Sequence, residues 1–300
     1  MYYYGDGIGS YGGEISQRER KYTIVQSLWT KPIKDKTKLK HILTIAALSL
    51  AYAHRSGYKV HMHTDSYGAK LLRGYGYEGL YTTLDAIPQS VPTELFAAGK
   101  FFAMEAEGGV GKVHTDLDVF LKKPVLDVFY ENKGIDLICQ QEEPDEWSKH
   151  VSRRCNMFIM GYPTATRPAW KGSLNTGIVG FNNKALWNLY LGNYREALQM
   201  YTQQKFDQYR KCNIVGQNGL EFDFILEQIT LSYISLGHNV HTLIPSDLST
   251  MNKVADSIGY QHLQGGNKWE PSRIMKLRTI LANIDNGLHM ASQSAVARVK

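Results

Sequence analysis

The chain has 300 residues, of which 43% are hydrophobic and 21% charged, an ordinary composition for a folded globular protein. It contains no run of 18 or more apolar residues, and its N-terminus has no basic flank followed by an apolar stretch. We therefore expect neither a membrane-spanning helix nor a secretory signal. The three cysteines (Cys139, Cys155, Cys212) lack the spacing of a metal site, and their odd number favours reduced thiols and a cytoplasmic location.

The formal net charge of +6 includes five lysines between residues 31 and 40. A lysine cluster usually forms a solvated face, but it can also attract a nucleic acid, an acidic glycan or a phospholipid surface. No interleaved aromatic residues or recognised nucleic-acid motif accompany these lysines, so attraction to an anionic partner is the minor interpretation. It leaves open a cytoplasmic protein that is peripheral at a membrane.

Predicted strands and helices alternate along the chain. Residues 1–20, rich in glycine and tyrosine, predict a flexible tail, and residues 21–300 predict a single domain. Apolar runs predict strands at residues 22–28, 111–114, 135–139, 174–181 and 240–244, and the alternation of Val60 and Met62 with polar residues predicts another at 59–64. Helical spacing predicts helices at residues 39–53, 91–106, 184–203, 220–236 and 271–290, and residues 140–170 predict a loop-rich stretch. This order predicts an α/β fold whose mostly parallel sheet is covered on both faces, with ligands beyond the carboxyl ends of the strands.

Two carboxylates, Asp116 and Asp118, follow the predicted strand at residues 111–114, where it gives way to a turn. Such a pair usually faces water. Here Val113 precedes it and the apolar run 119–121 follows, so the carboxylates lie among core-forming residues, where an unpaired charge is costly. A cation that neutralises the pair is therefore expected.

A second motif, His-x-x-Gly-x-x-Lys, runs from His262 through Gly265 to Lys268. The stretch is too glycine-rich for a regular helix, and Gly265 and Gly266 predict a backbone with positive φ or a close approach to a ligand. Lys268 offers a point charge for a phosphate. The alternative is a surface loop with an incidental lysine. Together with the carboxylate pair, the motif predicts a divalent metal held against a diphosphate.

The two motifs together resemble those of the GT-A glycosyltransferases, and are most like the retaining family that includes glycogenin and bacterial lipooligosaccharide galactosyltransferases. That family carries an Asp-x-Asp after an apolar strand and a late His-x-x-Gly-x-x-Lys-Pro-Trp; the late motif here lacks the proline and ends on Trp269. Residues 175–181 resemble the family's Asn-Ser/Ala-Gly strand beneath the acceptor, and residues 227–229 resemble its Asp-Gln-Asp segment. The resemblance implies a GT-A (Rossmann-like) fold with a mixed, mostly parallel sheet.

The resemblance also implies a hexosyltransferase that takes a nucleotide-sugar, expected to be a UDP-sugar, and an acceptor (glycan, lipid, protein or nucleic acid) that the sequence does not identify. Mn²⁺, with Mg²⁺ as a weaker substitute, would be bound by Asp118 and His262, while Asp116 would add an oxygen or position the ribose. Lys268 would hold the β-phosphate of the donor, and Gly265 would let that loop fold over the diphosphate. Further donor contacts are expected at five positions: Ser27, Trp29, Asp65, Lys100 and Gly177.

Retention of the anomeric configuration is implied by the late motif. Glu227 could act as the nucleophile of a two-step reaction. Alternatively, the leaving diphosphate deprotonates the acceptor on the same face while the amide oxygen of Gln228 steadies the positive charge on the sugar. We prefer this second route, because the family position that matches Gln228 is an amide, which is a poor nucleophile. Asn175 and Gly177 would shape the acceptor side, although Asn175 could equally be a turn residue at a strand end.

Several of these residues have plainer structural interpretations. Trp29 could pack in the core, Asp65 could cap a turn, and Lys100 could be solvated. His61 and His63 could ligate zinc, but a polar face of an edge strand is favoured. Two other function classes stay open: a nucleotidyltransferase, and a catalytically inactive binding or structural protein.

Overall fold

The computed structural model describes residues 21–143, 173–200, 225–246, 250–263 and 266–299. The strands are β1 (Tyr22–Leu28), β2 (Tyr58–Thr64), β3 (Gly79–Tyr81), β4 (Lys112–Thr115), β5 (Val119–Leu121), β6 (Leu137–Glu142), β7 (Leu174–Phe181), β8 (Val240–Thr242) and β9 (Tyr260–His262). The α-helices are α1 (Lys36–Arg55), α2 (Ser66–Leu72), α3 (Ala98–Ala106), α4 (Asp127–Glu131), α5 (Lys184–Met200), α6 (Thr230–Ile234), α7 (Met251–Ile258), α8 (Pro271–Ile284) and α9 (Asn286–Arg298). Short 3₁₀ turns cover Thr83–Ala86 and Gly266–Trp269, and a π-helical turn, Ile225–Ile229, leads into α6.

Seven strands form one mixed sheet in the order β3-β2-β1-β4-β7-β6-β8. Every neighbouring pair is parallel except the two that involve β7, which runs antiparallel to both β4 and β6. The strands β5 and β9 form a separate antiparallel ribbon. The α/β fold with a mixed, mostly parallel sheet is therefore confirmed.

Helices cover both faces of the sheet, as predicted. Successive residues of a strand point to opposite faces. Ile24 accordingly packs in a core with α1, α8 and α9, while its neighbour Val25 packs in a second core with α3 and α5. Helix α1 begins after Asp35, whose carboxylate accepts hydrogen bonds from the backbone N–H groups of Thr37 and Lys38. The two cores fix the sheet between layers of helix.

The predicted helix at residues 91–106 is wrong in its first half. Turns hold that stretch, with the backbone N–H of Val91 bonded to the carbonyl of Pro88 and that of Leu95 to the carbonyl of Pro92, and α3 begins only at Ala98. Pro92 explains why Val91 is not helical, because proline disfavours helical backbone in the residue before it.

The single helix predicted at residues 271–290 is two helices. Asp285 ends α8 and caps α9 by accepting a hydrogen bond from the backbone N–H of Leu288 at 2.8 Å. The predicted tail (1–20) lies outside the described residues, as do most of the predicted loop-rich stretch and parts of the helices at 184–203 and 220–236. Among the described residues, no helix has the length and apolarity needed to cross a membrane.

Candidate active site

The Asp-x-Asp pair lies where β4 ends and β5 begins, and the pairing of β5 with β9 brings the second motif to it. Val119 stands opposite His262 in this ribbon, and the backbone N–H of Leu263 donates to the carbonyl of Asp118 at 2.9 Å. On the other side, the backbone N–H of Asp116 donates to the carbonyl of Gly177 in β7 at 2.8 Å. Three elements far apart in sequence therefore meet at one point.

Oxygens of Asp116 and Asp118 and a ring nitrogen of His262 lie within 4.8 Å of one another. In the described part of the chain this is the one group of three such side chains spaced to hold a metal ion. Two carboxylates and an imidazole form a mixed oxygen and nitrogen donor set that suits a divalent metal ion. The side chains predicted as metal ligands are thus placed together.

The orientation of His262 is set by Gln140 at the middle of β6. Nδ1 of His262 lies 2.7 Å from Oε1 of Gln140, and the hydroxyl of Tyr260 donates to the same oxygen at 2.7 Å. An amide oxygen can only accept, so Nδ1 carries the proton and Nε2 is the nitrogen that faces Asp118, 3.3 Å from Oδ1. This is the tautomer that a metal bound through Nε2 requires.

Gly177 leaves the space in which Gln140 and His262 meet. A Cβ atom at this position would lie 2.5 Å from Oε1 of Gln140 and 2.8 Å from Cε1 of His262, closer than real side chains approach. The need for glycine here therefore comes from the imidazole and its partner. These contacts place Gly177 directly against His262, one of the predicted metal ligands.

Asp118 is paired with the lysine of the late motif. Nζ of Lys268 donates to Oδ2 of Asp118 at 2.5 Å. Burial by itself would raise the pKa of Asp118, but Lys268 and His262 together lower it well below its ordinary value. Asp118 therefore stays ionised, as a metal ligand must be.

Lys100 in α3 connects the first carboxylate to the π-helical turn. Its Nζ forms ion pairs with Asp116, at 3.0 Å from Oδ1, and with Glu227, and it donates to the carbonyl of Thr176 at 2.7 Å. The hydroxyl of Thr176 donates to Oε1 of Glu227 at 2.6 Å. Burial lowers the pKa of Lys100, but Asp116 and Glu227 outweigh that effect and raise it, so the ammonium persists. The solvated-lysine interpretation of Lys100 is wrong.

Asp116 is less tightly neutralised than Asp118. Burial is the largest cause that raises its pKa, Lys100 opposes the shift, and repulsion by Glu227 and Asp118 adds to it, giving a pKa of about 6. Its side chain is nevertheless 35% exposed, the most open of the three predicted metal ligands. A partly exposed carboxylate whose charge is not fully balanced is suited to accept a cation from solvent.

Gln228 and Asn175 flank this cluster. Gln228 is buried, and its amide oxygen has no hydrogen-bond partner within the described ranges. Asn175 donates to Oε1 of Glu143 at 2.5 Å and accepts from the backbone N–H of Gly177 at 2.9 Å, a local bond typical of the turn role considered for it. Gly265 lies outside the described residues.

Trp29 and Asp65 have the structural roles weighed for them. Trp29 is buried in the second core. The carboxylate of Asp65 accepts from the backbone N–H and hydroxyl of Thr30 and caps α2 through the backbone N–H of Gly68 at 2.8 Å. Contacts of Trp29 and Asp65 with a nucleotide-sugar remain predictions, and the packing and hydrogen bonds described here do not support them.

Ser27 reaches the site through a histidine. Its hydroxyl lies 3.0 Å from Nε2 of His114, whose Nδ1 is 3.8 Å from Asp116. Burial, together with Lys100 and His63, lowers the pKa of His114 well below its ordinary value, so the ring is neutral. Ser27 therefore lies behind Asp116, one side chain removed from it.

The edge-strand interpretation of His61 and His63 is wrong, because β2 lies inside the sheet between β1 and β3. Both rings contact Oε1 of Glu107, at 2.7 Å and 3.1 Å, and Lys112 pairs with the other oxygen at 3.2 Å. This cluster ties the C-terminal end of α3 to the sheet.

Sequence reasoning missed Gln140, Tyr260, Thr176 and His114. Gln140, Thr176 and His114 are polar residues within or beside apolar strands, whereas Tyr260 lies in a short strand, Tyr260–His262, that was not predicted. The available signal was a polar side chain at a position that the strand pattern assigns to the core, since a buried polar group needs a partner.

A model of a family of unknown function (DUF6734) matches residues 22–285, and the chain belongs to that family. A comparison with curated proteins finds no match. Among solved structures, apo mouse xyloside xylosyltransferase 1 is 15% identical, with 74% of this chain and 85% of that chain covered and a TM-score of 0.38. The galactosyltransferase LgtC with donor and acceptor sugar analogs is 12% identical, with 85% and 94% covered and a TM-score of 0.43. An active-site mutant of LgtC is 14% identical, with 87% and 95% covered and a TM-score of 0.41. With TM-scores below 0.5, these likenesses carry no argument about function.

Proposed function

We propose that this member of the DUF6734 family is a metal-dependent glycosyltransferase that transfers a sugar from a nucleotide-sugar to an acceptor. The observation that carries the proposal is the convergence of Asp116, Asp118 and His262 within 4.8 Å, with the ammonium of Lys268 on Asp118. Two carboxylates, an imidazole and a lysine are the groups needed to hold a metal against a diphosphate. Their order in the sequence is that of the GT-A motifs which the chain resembles.

The donor set fits Mn²⁺, with Mg²⁺ as a weaker substitute, held by Asp118, His262 and Asp116. When bound there, the ion supplies a Lewis acid for the leaving diphosphate. The protein's own contribution is orientation. Gln140 fixes the imidazole tautomer, and the backbone bonds of Asp116 to Gly177 and of Leu263 to Asp118 fix the loops that present the carboxylates.

Lys268 serves as the phosphate contact. In the structure its charge neutralises Asp118. Its ammonium would also be available to hold an oxygen of the donor diphosphate next to Asp118. Gly265 and Gly266 would allow this loop to fold over the donor and exclude water. UDP is the nucleotide expected by resemblance alone.

The sugar would lie toward Lys100, Glu227 and Gln228, and we propose transfer with retention. Oε1 of Glu227 already accepts from Lys100 and Thr176, which makes that oxygen a weaker nucleophile. The buried amide oxygen of Gln228 has no partner among the described residues, and it could steady positive charge on the sugar ring. These contacts support the route in which the diphosphate deprotonates the acceptor. Asn175 and Gly177 would line the acceptor side.

The proposal is tested by incubating the protein with a panel of nucleotide-sugars, with Mn²⁺ or with a chelator, and measuring the nucleoside diphosphate released. A glycosyltransferase releases it only with metal, slowly to water and faster once an acceptor is found. A nucleotidyltransferase given nucleoside triphosphates would release pyrophosphate instead, and an inactive binding protein would release neither.

The matched pair of variants is Asp118→Asn and Asp256→Asn, since Asp256 is an exposed carboxylate on α7. Only the first should abolish release. Chelator-resistant release, or equal activity in the two variants, contradicts the metal site.

Retention is tested by proton NMR of the glycosidic linkage made from an α-linked donor. An α product is expected. A β product would show inversion, remove the roles proposed for Glu227 and Gln228, and require a general base on the acceptor side.

A further inference from the structure

Two segments of the chain carry an excess of basic residues over acidic ones, and the proposed transfer reaction does not use them. Residues 31–40 and 270–278 together carry eight lysines and arginines and two carboxylates. This excess of six equals the formal net charge of the whole chain, so the remaining residues are balanced. The net charge of the protein therefore lies on these two segments, which we call the basic surface.

The two segments of the basic surface meet in the fold. Helix α1 packs against α8, and the Nζ of Lys38 lies 5.3 Å from the ring centroid of Trp269, just before α8 begins. Nζ of Lys268 lies 5.1 Å from the same ring. Arg278 is close enough to His41 to lower its pKa, after the larger effect of burial. The basic surface is thus continuous and borders the loop that carries Lys268.

The lysines stand where helix α1 itself disfavours them. Lys36 and Lys38 lie in the first turn of α1, which contains no acidic residue, and Lys34 precedes that turn. The positive end of the helix dipole repels cations at this end. The neighbouring carboxylate of Asp35 is engaged with the backbone as the helix cap. These lysines therefore do not serve to stabilise the helix, and they are exposed to solvent.

An exposed apolar side chain accompanies the charges. Helix α8 buries Ile274, Leu277 and Leu281, and on its opposite side Met275 is 67% exposed beside the exposed Lys276. A basic helix face with a protruding apolar side chain is the arrangement that adsorbs to an anionic lipid surface, because the charges attract the headgroups and the apolar group enters the interface. A soluble polyanion would use the charges but not Met275.

We propose that the basic surface docks the protein on an anionic phospholipid membrane, with Lys34, Lys36, Lys38 and Lys276 against the headgroups and Met275 at the interface. Docking in this orientation places the Lys268 loop next to the membrane. The inference does not depend on glycosyl transfer, since membrane binding is measured without any donor.

The experiment is co-sedimentation of the full chain with vesicles of phosphatidylcholine, alone or mixed with phosphatidylglycerol. Binding is expected only to the mixed vesicles and should be lost at about 1 M salt, where screening shortens the range of charge interactions to about 3 Å. The triple variant Lys34→Gln, Lys36→Gln, Lys38→Gln should bind the mixed vesicles about 100-fold more weakly than the wild type, because each lost charge should weaken binding about fivefold. It should melt no lower than the wild type, because the helix loses cations from its positive end.

The matched control removes three exposed lysines elsewhere, in the variant Lys59→Gln, Lys70→Gln, Lys133→Gln. It has the same net charge and should lose less than about fivefold. For the apolar contact, Met275→Ser should weaken vesicle binding about tenfold, while Leu189→Ser, at a 51% exposed position on α5, should not.

Three results would overturn the proposal. The first is the absence of wild-type binding to the mixed vesicles, and the second is an equal loss in the two triple variants. The third is vesicle binding that Met275→Ser does not weaken, combined with equally strong binding of a sulfated polysaccharide or an oligonucleotide that depends on the same lysines. This result would assign the surface to a soluble polyanion.

Discussion

At the residue scale, the candidate site depends on how one imidazole is held. His262 can present Nε2 toward Asp118 only while Nδ1 donates to Gln140, and Gln140 is buried between His262 and the hydroxyl of Tyr260. Residues that hydrogen-bond to a metal ligand orient it, and their loss typically weakens metal binding about 10- to 100-fold.

Replacing Gln140 should therefore weaken the metal site without removing a ligand. Gln140→Met keeps the side-chain volume but frees the ring of His262 to change tautomer, and we expect Mn²⁺ to bind about 10- to 100-fold more weakly by calorimetric titration. The control is Tyr260→Phe, which removes the other hydrogen bond to the same oxygen and leaves the contact with His262. Similar affinities for Gln140→Met and the wild type would mean that Gln140 does not orient a metal ligand.

Gly177 gives a second test at this scale. Gly177→Ala places a methyl group against Gln140 and His262, and overpacking of this kind should lower the free energy of unfolding by about 1–3 kcal/mol. The control is Gly192→Ala, at an exposed position in α5 where no atom lies within 4 Å of the added Cβ. There alanine should raise stability by about 0.5–1 kcal/mol. Denaturant unfolding that moves both variants in the same direction would contradict the packing described at Gly177.

At the scale of the elements, the sequence predicted what local pattern controls. β1 and β7 follow from apolar runs, and α1 follows from helical spacing, although the structure begins it three residues earlier, after the cap at Asp35. The pairing of β5 with β9 could not be predicted in this way, because each strand has three residues and their contact spans about half of the chain. The family resemblance supplied the association of the two motifs; the local patterns did not.

The buried ion pairs show the same limit. Lys100 and Glu227 are 127 residues apart, and no local pattern in the sequence pairs them. They are buried together by the packing of α3 against β1 and β4 and of the π-helical turn against β7. Of the site residues that the resemblance named, Asp116, Asp118 and His262 lie together in the fold. Gln140, Thr176 and His114 became visible only through their contacts.

Lys100 therefore has an element-scale role that is open to test. Lys100→Met would leave Asp116 and Glu227 without their shared cation, and breaking a buried ion pair from one side should cost about 3–5 kcal/mol of stability. The control is Arg195→Ala, which breaks the exposed pair between α5 and Glu105 of α3 and should cost about 0–1 kcal/mol. If thermal unfolding showed the two variants equally stable, Lys100 would not join α3 to the site.

At the scale of the molecule, the sheet assembles the site from both strand directions. The parallel strands β1 and β4 end beside Asp116. The antiparallel strand β7 starts at the same end of the sheet and contributes residues 175–177. The β5–β9 ribbon then adds His262, and α3 adds Lys100 from one face. The described residues proposed to bind metal or diphosphate therefore come from this end of the sheet and from the ribbon, the helix and the 3₁₀ turn that pack around it.

The central claim is that Asp116, Asp118 and His262 bind a divalent metal together with a nucleoside diphosphate. The most direct measurement is an electron paramagnetic resonance titration of Mn²⁺ into the wild type, Asp118→Asn and Asp256→Asn, each with and without a nucleoside diphosphate. The account predicts a single tight site in the wild type and in Asp256→Asn, strengthened by the nucleotide and weakened at least about tenfold in Asp118→Asn, since loss of a ligand costs no less than loss of its hydrogen-bond partner. Equal Mn²⁺ affinity in Asp118→Asn and the wild type, with no response to the nucleotide, would contradict it.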